Sequence, residues 1–403
     1  MKTFTRFIYE QTEEQGGKLL KHLTHVEDHI IHSGNEGVKK AADVLDDVHN
    51  SLMGKKNSTK VSTKYDGAPS VVFGYHPKNG RFFVGTKSAF NKNPKLNYTD
   101  KDIEANHGHA PGLVSKLKSA LTHLPKIAPK HGVYQGDLMH TKEDIKKHGK
   151  ELSFTPNTIT YHTPADSAHG KAIQHSKLGV VVHTKYEGKG DLEHMNATPH
   201  VDRENFNHHP DVHNVDPTIK ADSSHYTPKE QQKYHEAMNK AKDTYRDMDH
   251  SALDKLKGHE INLEAHVNDM VRKGNMPSTS GYIKHISDKG NKEIDNVKTE
   301  KSKQQKREKL NDNIKHISDN KKHFDKALEL HKHLQTAKDV LTGVMAKNQE
   351  FGHTIGGAKT GPEGAVAVTK NGDMSKFVDR KQFSRQNFLA GKMQQAKKEA
   401  QQK

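Results

Sequence analysis

Apolar residues near the N-terminus recur with the spacing of an α-helix. Two apolar stripes are formed by Leu19, Leu20, Leu23, Val26, Ile30 and Ile31, and by Val38, Leu45, Val48 and Leu52. Because each stripe follows the three-and-four spacing of one helix face, residues 17–53 are predicted to be helical. The sequence Ser33-Gly34-Asn35 between the stripes favours a break, since glycine and asparagine are common where helices stop.

Short apolar runs separated by turn residues replace the helical pattern from residue 58 to residue 190. Glycine, proline and asparagine lie between these runs, which is typical of strands joined by tight turns. The exception is the segment 112–124, GLVSKLKSALTHL, whose apolar residues lie on a single helix face. The pattern therefore predicts sheets rich in antiparallel pairing, with one helix between the strands.

The segment from about 191 to 348 has a different character, with abundant Lys, His, Asp, Glu and Asn and few apolar residues. Its last apolar positions fall on one helix face and comprise Phe324, Leu328, Leu334, Ala337, Leu341 and Met345. Glycines between 352 and 364 then predict a loop, after which strand character returns. We interpret 191–348 as a mostly helical insertion that splits the strands of one domain.

A short sequence is repeated inside this insertion. IKHISD occurs at residues 283–288 and again at 314–319, a spacing of 31. Copies at such a spacing can mark helical repeat units. The alternative is a coincidence in a segment of biased composition, and the sequence does not decide between the two.

Composition narrows the class of protein. The net charge is +15 and the hydrophobic fraction is 31%, so the surface attracts polyanions and the core is lean. The alternative to a polyanion-binding protein is a soluble basic protein whose charge has no specific partner. There is no tryptophan and aromatic residues make up 6%, which limits stacking on bases. The absence of cysteine excludes thiol chemistry, and the 32 histidines form no recognisable zinc pattern, which favours exposed histidines.

The sequence predicts neither a membrane span nor a secretion signal. No run of 18 apolar residues occurs, and the first fifteen residues, MKTFTRFIYEQTEEQ, lack an apolar core. We therefore expect a cytoplasmic protein with no membrane partner. The sequence gives no indication of its oligomeric state.

The strongest chemical signal is Lys64 within VSTKYDGAPSVVFGY, where one β-type run ends and another begins. Gly67 lets the backbone turn and approach a ligand closely. A lysine attacks phosphorus or carbonyl only as the neutral amine, so such a site must lower the pKa of its ammonium group. Four further motifs follow in order: FFVGTKS at 82–88, VYQGDL at 133–138, PEGAVAV at 362–368 and MSKFVDR at 374–380.

In this order the five motifs resemble those of the covalent nucleotidyltransferase superfamily, the ATP-dependent DNA and RNA ligases and mRNA capping enzymes. The resemblance covers roughly residues 56–190 and 349–390. It implies a ligase-type nucleotidyltransferase domain with antiparallel-rich sheets. Together with the N-terminal helical segment and the large helical insertion that the apolar pattern predicts, this gives an α+β fold. The expected organisation is 1–55 helical, 56–190 nucleotidyltransferase, 191–348 basic insertion, 349–392 final strands and 393–403 polar tail.

The resemblance also implies roles for the lysines and for one acid beside them. Lys64 matches the nucleophile that attacks the α-phosphorus of ATP and becomes lysyl-AMP. Lys376 matches the lysine that contacts the α-phosphate, and its charge favours a neutral amine at Lys64. Asp66 would orient Lys64 or the water shell of the metal, and its alternative role is that of a turn residue.

Two acids match the metal and nucleotide contacts of the family, which uses ATP with Mg²⁺. Glu363 matches the acid that supports the catalytic metal, with a surface acid at a strand end as the alternative. Asp137 stands where the family usually has Glu, for contact with the ribose or the metal. Gly67 and Lys87 are expected to line the nucleotide site.

Two further positions depart from the family pattern, and the purine contact is not assigned. Pro69 replaces a common arginine, whose charge Lys87 or Arg81 would supply. Val378 replaces a second lysine, for which Lys381 or Arg380 would substitute. The stretches 158–164 and 178–184 compete for the strand that carries the purine-stacking aromatic, and only the first offers one, Tyr161, with a core tyrosine as the equal alternative.

The leading prediction is an ATP-dependent polynucleotide ligase, for RNA rather than DNA. Only about twenty residues follow Arg380, whereas DNA ligases and capping enzymes usually append another domain after the last motif. The alternatives are a nick-sealing DNA ligase and a non-catalytic nucleic-acid-binding or virion-associated protein on a degenerate ligase fold. The chain also resembles proteins of tailed bacteriophages, which implies the cytoplasm of an infected bacterium.

Overall fold

The computed structural model describes residues 23–380 except Lys189 and His200. Its α-helices are α1 (His29–Leu52), α2 (Asp100–His107), α3 (Pro111–His123), α4 (Ala168–His175), α5 (Pro228–Asp247), α6 (Glu260–Lys273), α7 (Thr279–Asp295), α8 (Glu300–Asp319) and α9 (Lys321–Ala346). The first part of the predicted N-terminal stripe, Lys381 and the polar tail 393–403 lie outside the described residues.

The β-strands alternate with these helices in the first half of the chain and return at its end. They are β1 (Lys60–Lys64), β2 (Ser70–Tyr75), β3 (Phe82–Gly85), β4 (Val133–Thr141), β5 (Lys146–His148), β6 (Glu151–Phe154), β7 (Thr160–Pro164), β8 (Leu178–Glu187), β9 (Asn196–Thr198), β10 (Val212–Asn214), β11 (Gly352–Ile355), β12 (Ala358–Lys359), β13 (Gly364–Val368) and β14 (Met374–Phe377). The predicted mixture of helices with antiparallel-rich sheets is therefore confirmed.

The chain forms two compact units that divide it differently from the sequence-based prediction. One unit contains residues 65–217, and the other contains residues 23–64 together with 218–380. The predicted boundaries were 56, 191 and 349. Residues 191–217 join the first unit because β9 and β10 extend its sheet on β8. Strand β1 belongs to the second unit because it pairs with β13.

The unit of residues 65–217 is built on a sheet of order β10-β8-β4-β2-β3, with β9 also paired to β8. All its pairs are antiparallel except β10 with β8. The period-two pattern of β2 sends Val71 and Phe73 into the core under α3, and Val72 into a second core with Phe83. Strands β5, β6 and β7 form an antiparallel set beside it.

The second unit is mainly helical. Its helix α1 is kinked at Gly34, where φ is 53°, which confirms the predicted break. The apolar stripe of α1 packs on α9, which also contacts α5. The predicted apolar face of α9 is confirmed, since its six apolar residues are buried. The helix predicted over 112–124 in the other unit is confirmed as α3.

A small antiparallel sheet of order β1-β13-β14 completes the helical unit. The glycine-rich segment before it differs from the predicted loop, because β11 and β12 pair as a hairpin. Gly356 and Gly357 have φ values of 58° and 83° at its turn, a conformation that glycine adopts without strain.

The two copies of IKHISD occupy different positions in their helices. The first lies in the middle of α7 and the second forms the end of α8. Each copy buries its second isoleucine, Ile286 or Ile317. Because units of a repeat occupy equivalent places, this difference favours coincidence over a helical repeat. Within residues 23–380, no helix combines the length and apolar character needed to span a bilayer.

Candidate active site

Lys64 is the last residue of β1 and lies directly opposite Gly364 of β13. The alternation along β1 buries Val61 and leaves Lys64 one-third exposed. Its Nζ donates a hydrogen bond to Oε1 of Glu363, the residue that precedes β13. The Glu363 side chain is 16% exposed, so the ion pair is partly shielded from water.

Gly364 is required by the close approach of the neighbouring strand. A Cβ atom at this position would lie 2.2 Å from the carbonyl oxygen of Phe377 on β14, and the φ of Gly364 is 152°. Both facts disfavour any other residue here. The glycine therefore lets β13 carry Glu363 up to Lys64 while it stays paired with β14.

Lys376 lies on β14 opposite Val366, and Val366 in turn lies opposite Ser62 of β1. Residues directly opposite each other in antiparallel strands point to the same face, and so do alternate residues of one strand. Lys64 and Lys376 therefore share one face of the sheet, across β13. The other face contains Ala365 and Phe377, which are buried in the core.

The surroundings of Lys376 lower the pKa of its ammonium group. Burial is the largest cause, followed by the positive charge of Arg380, and Lys64 adds a smaller effect in the same direction. The carboxylates of Asp28 and Glu264 oppose this shift. The backbone N–H of Lys376 donates to the carbonyl of Thr24 at 3.0 Å, which ties β14 to the start of the described chain.

The structure thus brings Lys64, Glu363 and Lys376 together on or next to one three-stranded sheet, although they come from opposite ends of the sequence. The remaining predicted residues, Asp66, Gly67, Lys87, Asp137 and Tyr161, belong to the unit of residues 65–217.

Asp66 anchors a loop of its own unit. Its carboxylate accepts hydrogen bonds from the side-chain amide of Asn157 at 2.8 Å and from the backbone N–H groups of Thr158 and Ile159 at 2.8 and 3.0 Å. These contacts favour the structural alternative that the sequence left open for Asp66. Orientation of Lys64 or of metal-bound water is not supported by them.

Tyr161 is a core residue of the same unit. Its side chain is 1% exposed, its ring stacks on Phe154, and its hydroxyl accepts the backbone N–H of Asp66 at 2.7 Å. A ring enclosed in this way has no face available for a purine, so the geometry favours the alternative of a core tyrosine. Lys87 is exposed at the start of the short helix Lys87–Phe90.

Gly67 and Asp137 are close neighbours. A Cβ atom on Gly67 would lie 2.7 Å from Cβ of Asp137 and 3.0 Å from the carbonyl oxygen of Leu138. Asp137 lies on β4, and its Oδ1 is 3.5 Å from Nε2 of His183 on β8. His183 was not among the predicted site residues, because one histidine in a strand carries no distinctive sequence signal.

The predicted metal ligands, Glu363 and Asp137, belong to different units. Among the described residues, no group of three His, Cys, Asp or Glu side chains is arranged to hold a metal ion. Glu363 still fits Mg²⁺, because this ion commonly takes one or two carboxylates and completes its shell with phosphate oxygens and water.

The sequence analysis missed the charged residues buried behind Lys376. Glu27, Asp28, Lys338 and Arg380 are each at most 1% exposed. Arg380 was considered only as a substitute for a missing phosphate-contacting lysine, but its guanidinium group is engaged by Asp28. Charged residues normally predict surface positions, so no local signal marks this cluster.

Comparison with known proteins identifies a family to which the chain is similar. The model of the family of unknown function DUF6267 matches residues 20–392. No curated protein and no solved structure matches the chain.

Proposed function

The chain belongs to the DUF6267 family of unknown function, and we propose that it is an ATP-dependent polynucleotide ligase that acts through lysyl-AMP on Lys64. The main support for this proposal is that Lys64, Glu363 and Lys376 lie on or next to three paired strands of one sheet. A phosphate site demands such convergence of cations with an acid, and local sequence alone does not impose it.

The proposed first step follows from the charges at the site. Nζ of Lys64 attacks the α-phosphorus of ATP, the new N–P bond forms, and the bond to pyrophosphate breaks. Before this attack Lys64 must lose both a proton and its ion pair with Glu363. Lys376 faces the same side of the sheet, where its positive charge disfavours a second ammonium and attracts the α-phosphate.

Glu363 is the residue that would hold Mg²⁺ at the lysine site. The ion, when bound, neutralises the charge of the triphosphate. In the later steps AMP passes from Lys64 to a 5′-phosphate end, and a 3′-hydroxyl displaces it to join the strands. The helical segment 218–348 takes the place of the helical modules that the resemblance associates with RNA ligases, so RNA is the first substrate to test.

Incubation with α-labelled ATP and Mg²⁺ tests the first step. The intact mass of the wild-type protein should rise by one AMP, and the Lys64→Ala variant should gain none. Lys60→Ala is the matched control, because Lys60 is exposed on the same strand. An adduct that persists in Lys64→Ala would place the nucleophile elsewhere.

Joining of 5′-phosphorylated RNA and of nicked DNA then distinguishes the two ligase classes. A wild-type protein that binds polynucleotide but forms no lysyl-AMP would replace the ligase proposal with the non-catalytic alternative.

A further inference from the structure

A network of buried charges lies beside the strand that carries Lys376, and the proposed reaction does not use it directly. It consists of Glu27, Asp28, His331, Lys338 and Arg380. Their side chains are all at most 3% exposed. Buried charges are costly unless they are paired, so a network of this size calls for a physical account.

Arg380 and Asp28 form its first half. Nη1 of Arg380 donates to Oδ1 of Asp28 at 3.1 Å, and Nη2 donates to Oδ2. Nε2 of His331 lies 2.7 Å from the same Oδ1. Burial raises the pKa of Asp28, but Arg380 and His331 together hold it well below its usual range. Asp28 is therefore an ionised carboxylate that both Arg380 and His331 contact.

Lys338 of α9 forms the second half. Its Nζ contacts the carbonyl oxygen of Val378 at 2.6 Å, Oδ1 of Asp339 at 2.9 Å and Oε1 of Glu27 at 3.1 Å. The contacts to Val378 and Glu27 are hydrogen bonds, and the carboxylate of Asp339 lies close enough to add a third favourable charge contact. Burial lowers the pKa of Lys338, but the negative charges of Glu27 and Asp339 outweigh this effect. The pKa of Lys338 is therefore raised above its usual value.

The network joins two segments next to Lys376, the residues that follow its strand and the short helix near the start of the described chain. Val378 and Arg380 lie two and four residues after Lys376 in the sequence. Glu27 and Asp28 belong to the short helix Val26–Asp28, and the carbonyl of Thr24 just before it accepts the N–H of Lys376. Lys338 therefore joins the end of the Lys376 strand to the segment whose carbonyl accepts the N–H of Lys376.

We propose that Lys338 is a positioning residue for Lys376, which it fixes by joining Glu27 to the backbone of Val378. This makes α9 part of the machinery of nucleotidyl transfer, although it holds none of the motif residues. The effect on catalysis rests on the proposed function, whereas the positioning itself can be measured without ATP.

Hydrogen exchange of the free protein is the first test, with Lys338→Met as the variant. Methionine keeps much of the side-chain volume and removes the charge. Exchange over residues 374–378 should become at least tenfold faster, while exchange over β1 should stay as in the wild type. Lys347→Met is the matched control, because Lys347 follows the same helix and forms an ion pair with Glu230 at 2.8 Å but is 41% exposed.

The second measurement is the rate of lysyl-AMP formation. It should fall at least tenfold in Lys338→Met, with a smaller rise in the KM for ATP, and should not change in Lys347→Met. If Lys338→Met does not fold, the Glu27→Gln/Lys338→Gln variant is measured instead, since it removes both charges and leaves no buried charge of this pair uncompensated.

Two results would overturn the proposal. Unchanged exchange over 374–378 in a folded variant would show that Lys338 does not position β14. Faster exchange with a wild-type rate of lysyl-AMP formation would show a purely structural role. A wild-type protein without lysyl-AMP would refute the proposed ligase function, and exchange would still decide whether Lys338 holds the Lys376 strand.

Discussion

Gly364 lies directly opposite Lys64 in the antiparallel pair of β1 and β13, and a Cβ atom at Gly364 would lie 2.2 Å from the carbonyl of Phe377. The two motifs that contain these residues are thus one structural unit. The glycine allows three strands to pack closely, and the closeness places Glu363 against Lys64. Sequence order alone does not show this dependence.

The first prediction concerns this glycine. Gly364→Ala should lower the free energy of unfolding by on the order of 3 kcal/mol, because the new methyl group meets backbone and the φ of 152° is strained for alanine. Gly361→Ala is the control, since no atom lies within 4 Å of its added Cβ. Denaturant unfolding measures both, and equal midpoints would show that the strands can separate without cost.

The second prediction concerns Glu363. Glu363→Gln keeps the shape of the side chain and removes its charge, so lysyl-AMP formation should slow by on the order of a hundredfold, or about 3 kcal/mol. Single-turnover rates over a range of Mg²⁺ concentrations measure this loss. Asp373→Asn, which removes an ion pair with Lys40 just before β14, is the control. A wild-type rate with an unchanged Mg²⁺ requirement in Glu363→Gln would remove Glu363 from the site.

Local patterns predicted the elements of this protein better than their assembly. The stripes of α1 and α9 and the break at Gly34 follow from spacing and glycine chemistry, which are local properties. The unit boundaries depend on which strand β1 joins, and its partner β13 lies at the other end of the sequence. Apolar runs do not encode that choice.

The residues of the candidate site also differ in how well local sequence predicted them. The motifs of Lys64, Glu363 and Lys376 were identified from residue types, and the structure places them on one sheet. The roles of Asp66 and Tyr161 were ambiguous, because residue type alone does not distinguish an aspartate in a turn or a tyrosine in the core from a residue of the active site. The role of Lys338 was not predicted from the sequence, since only the folded chain shows that this charged residue of α9 is fully buried.

The third prediction concerns acid stability in the unit of residues 65–217. Burial lowers the pKa of His140 to about 4 and that of His213 to about 3. His169 and His140 add repulsion at His213, while Asp144 partly offsets the shift at His140. Both histidines are thus neutral in the folded protein where the unfolded chain already binds protons.

The sign of the pH dependence follows from these shifts. The two neutral histidines contribute fully to the free energy of unfolding above pH 6.5, the pKa of a histidine in the unfolded chain. This contribution is lost as the pH falls towards the folded pKa values of about 4 for His140 and about 3 for His213. His140→Leu should therefore reduce the loss of stability below pH 6.5 by on the order of 3 kcal/mol. Thermal unfolding from pH 7.5 to 4.5 measures this, with the exposed His148→Gln as control. Parallel curves for wild type and His140→Leu would contradict the prediction.

The last prediction concerns α8, whose basic residues are candidates for contacts with polynucleotide. Lys301, Lys303, Lys306 and Lys309 lie on this helix. Lys303 pairs with Glu300 at 3.0 Å and Lys306 with Glu293 at 3.3 Å. Within the described part of the chain, Lys301 and Lys309 have no carboxylate partner, so their charges are available to phosphates. The bland alternative is that all four form a solvated helix face.

Charge reversal of the four lysines to glutamate should weaken binding of RNA or DNA and flatten its dependence on salt. Each lost phosphate contact removes roughly one unit from the slope of log affinity against log salt. Most of the loss should come from Lys301→Glu/Lys309→Glu, with Lys303→Glu/Lys306→Glu as the matched comparison on the same helix. Lysyl-AMP formation should continue in every variant, because it needs ATP and the lysine site but no polynucleotide. Unchanged affinity in the quadruple variant would assign α8 a structural or partner-binding role, and loss of lysyl-AMP would show that α8 supports the lysine site itself.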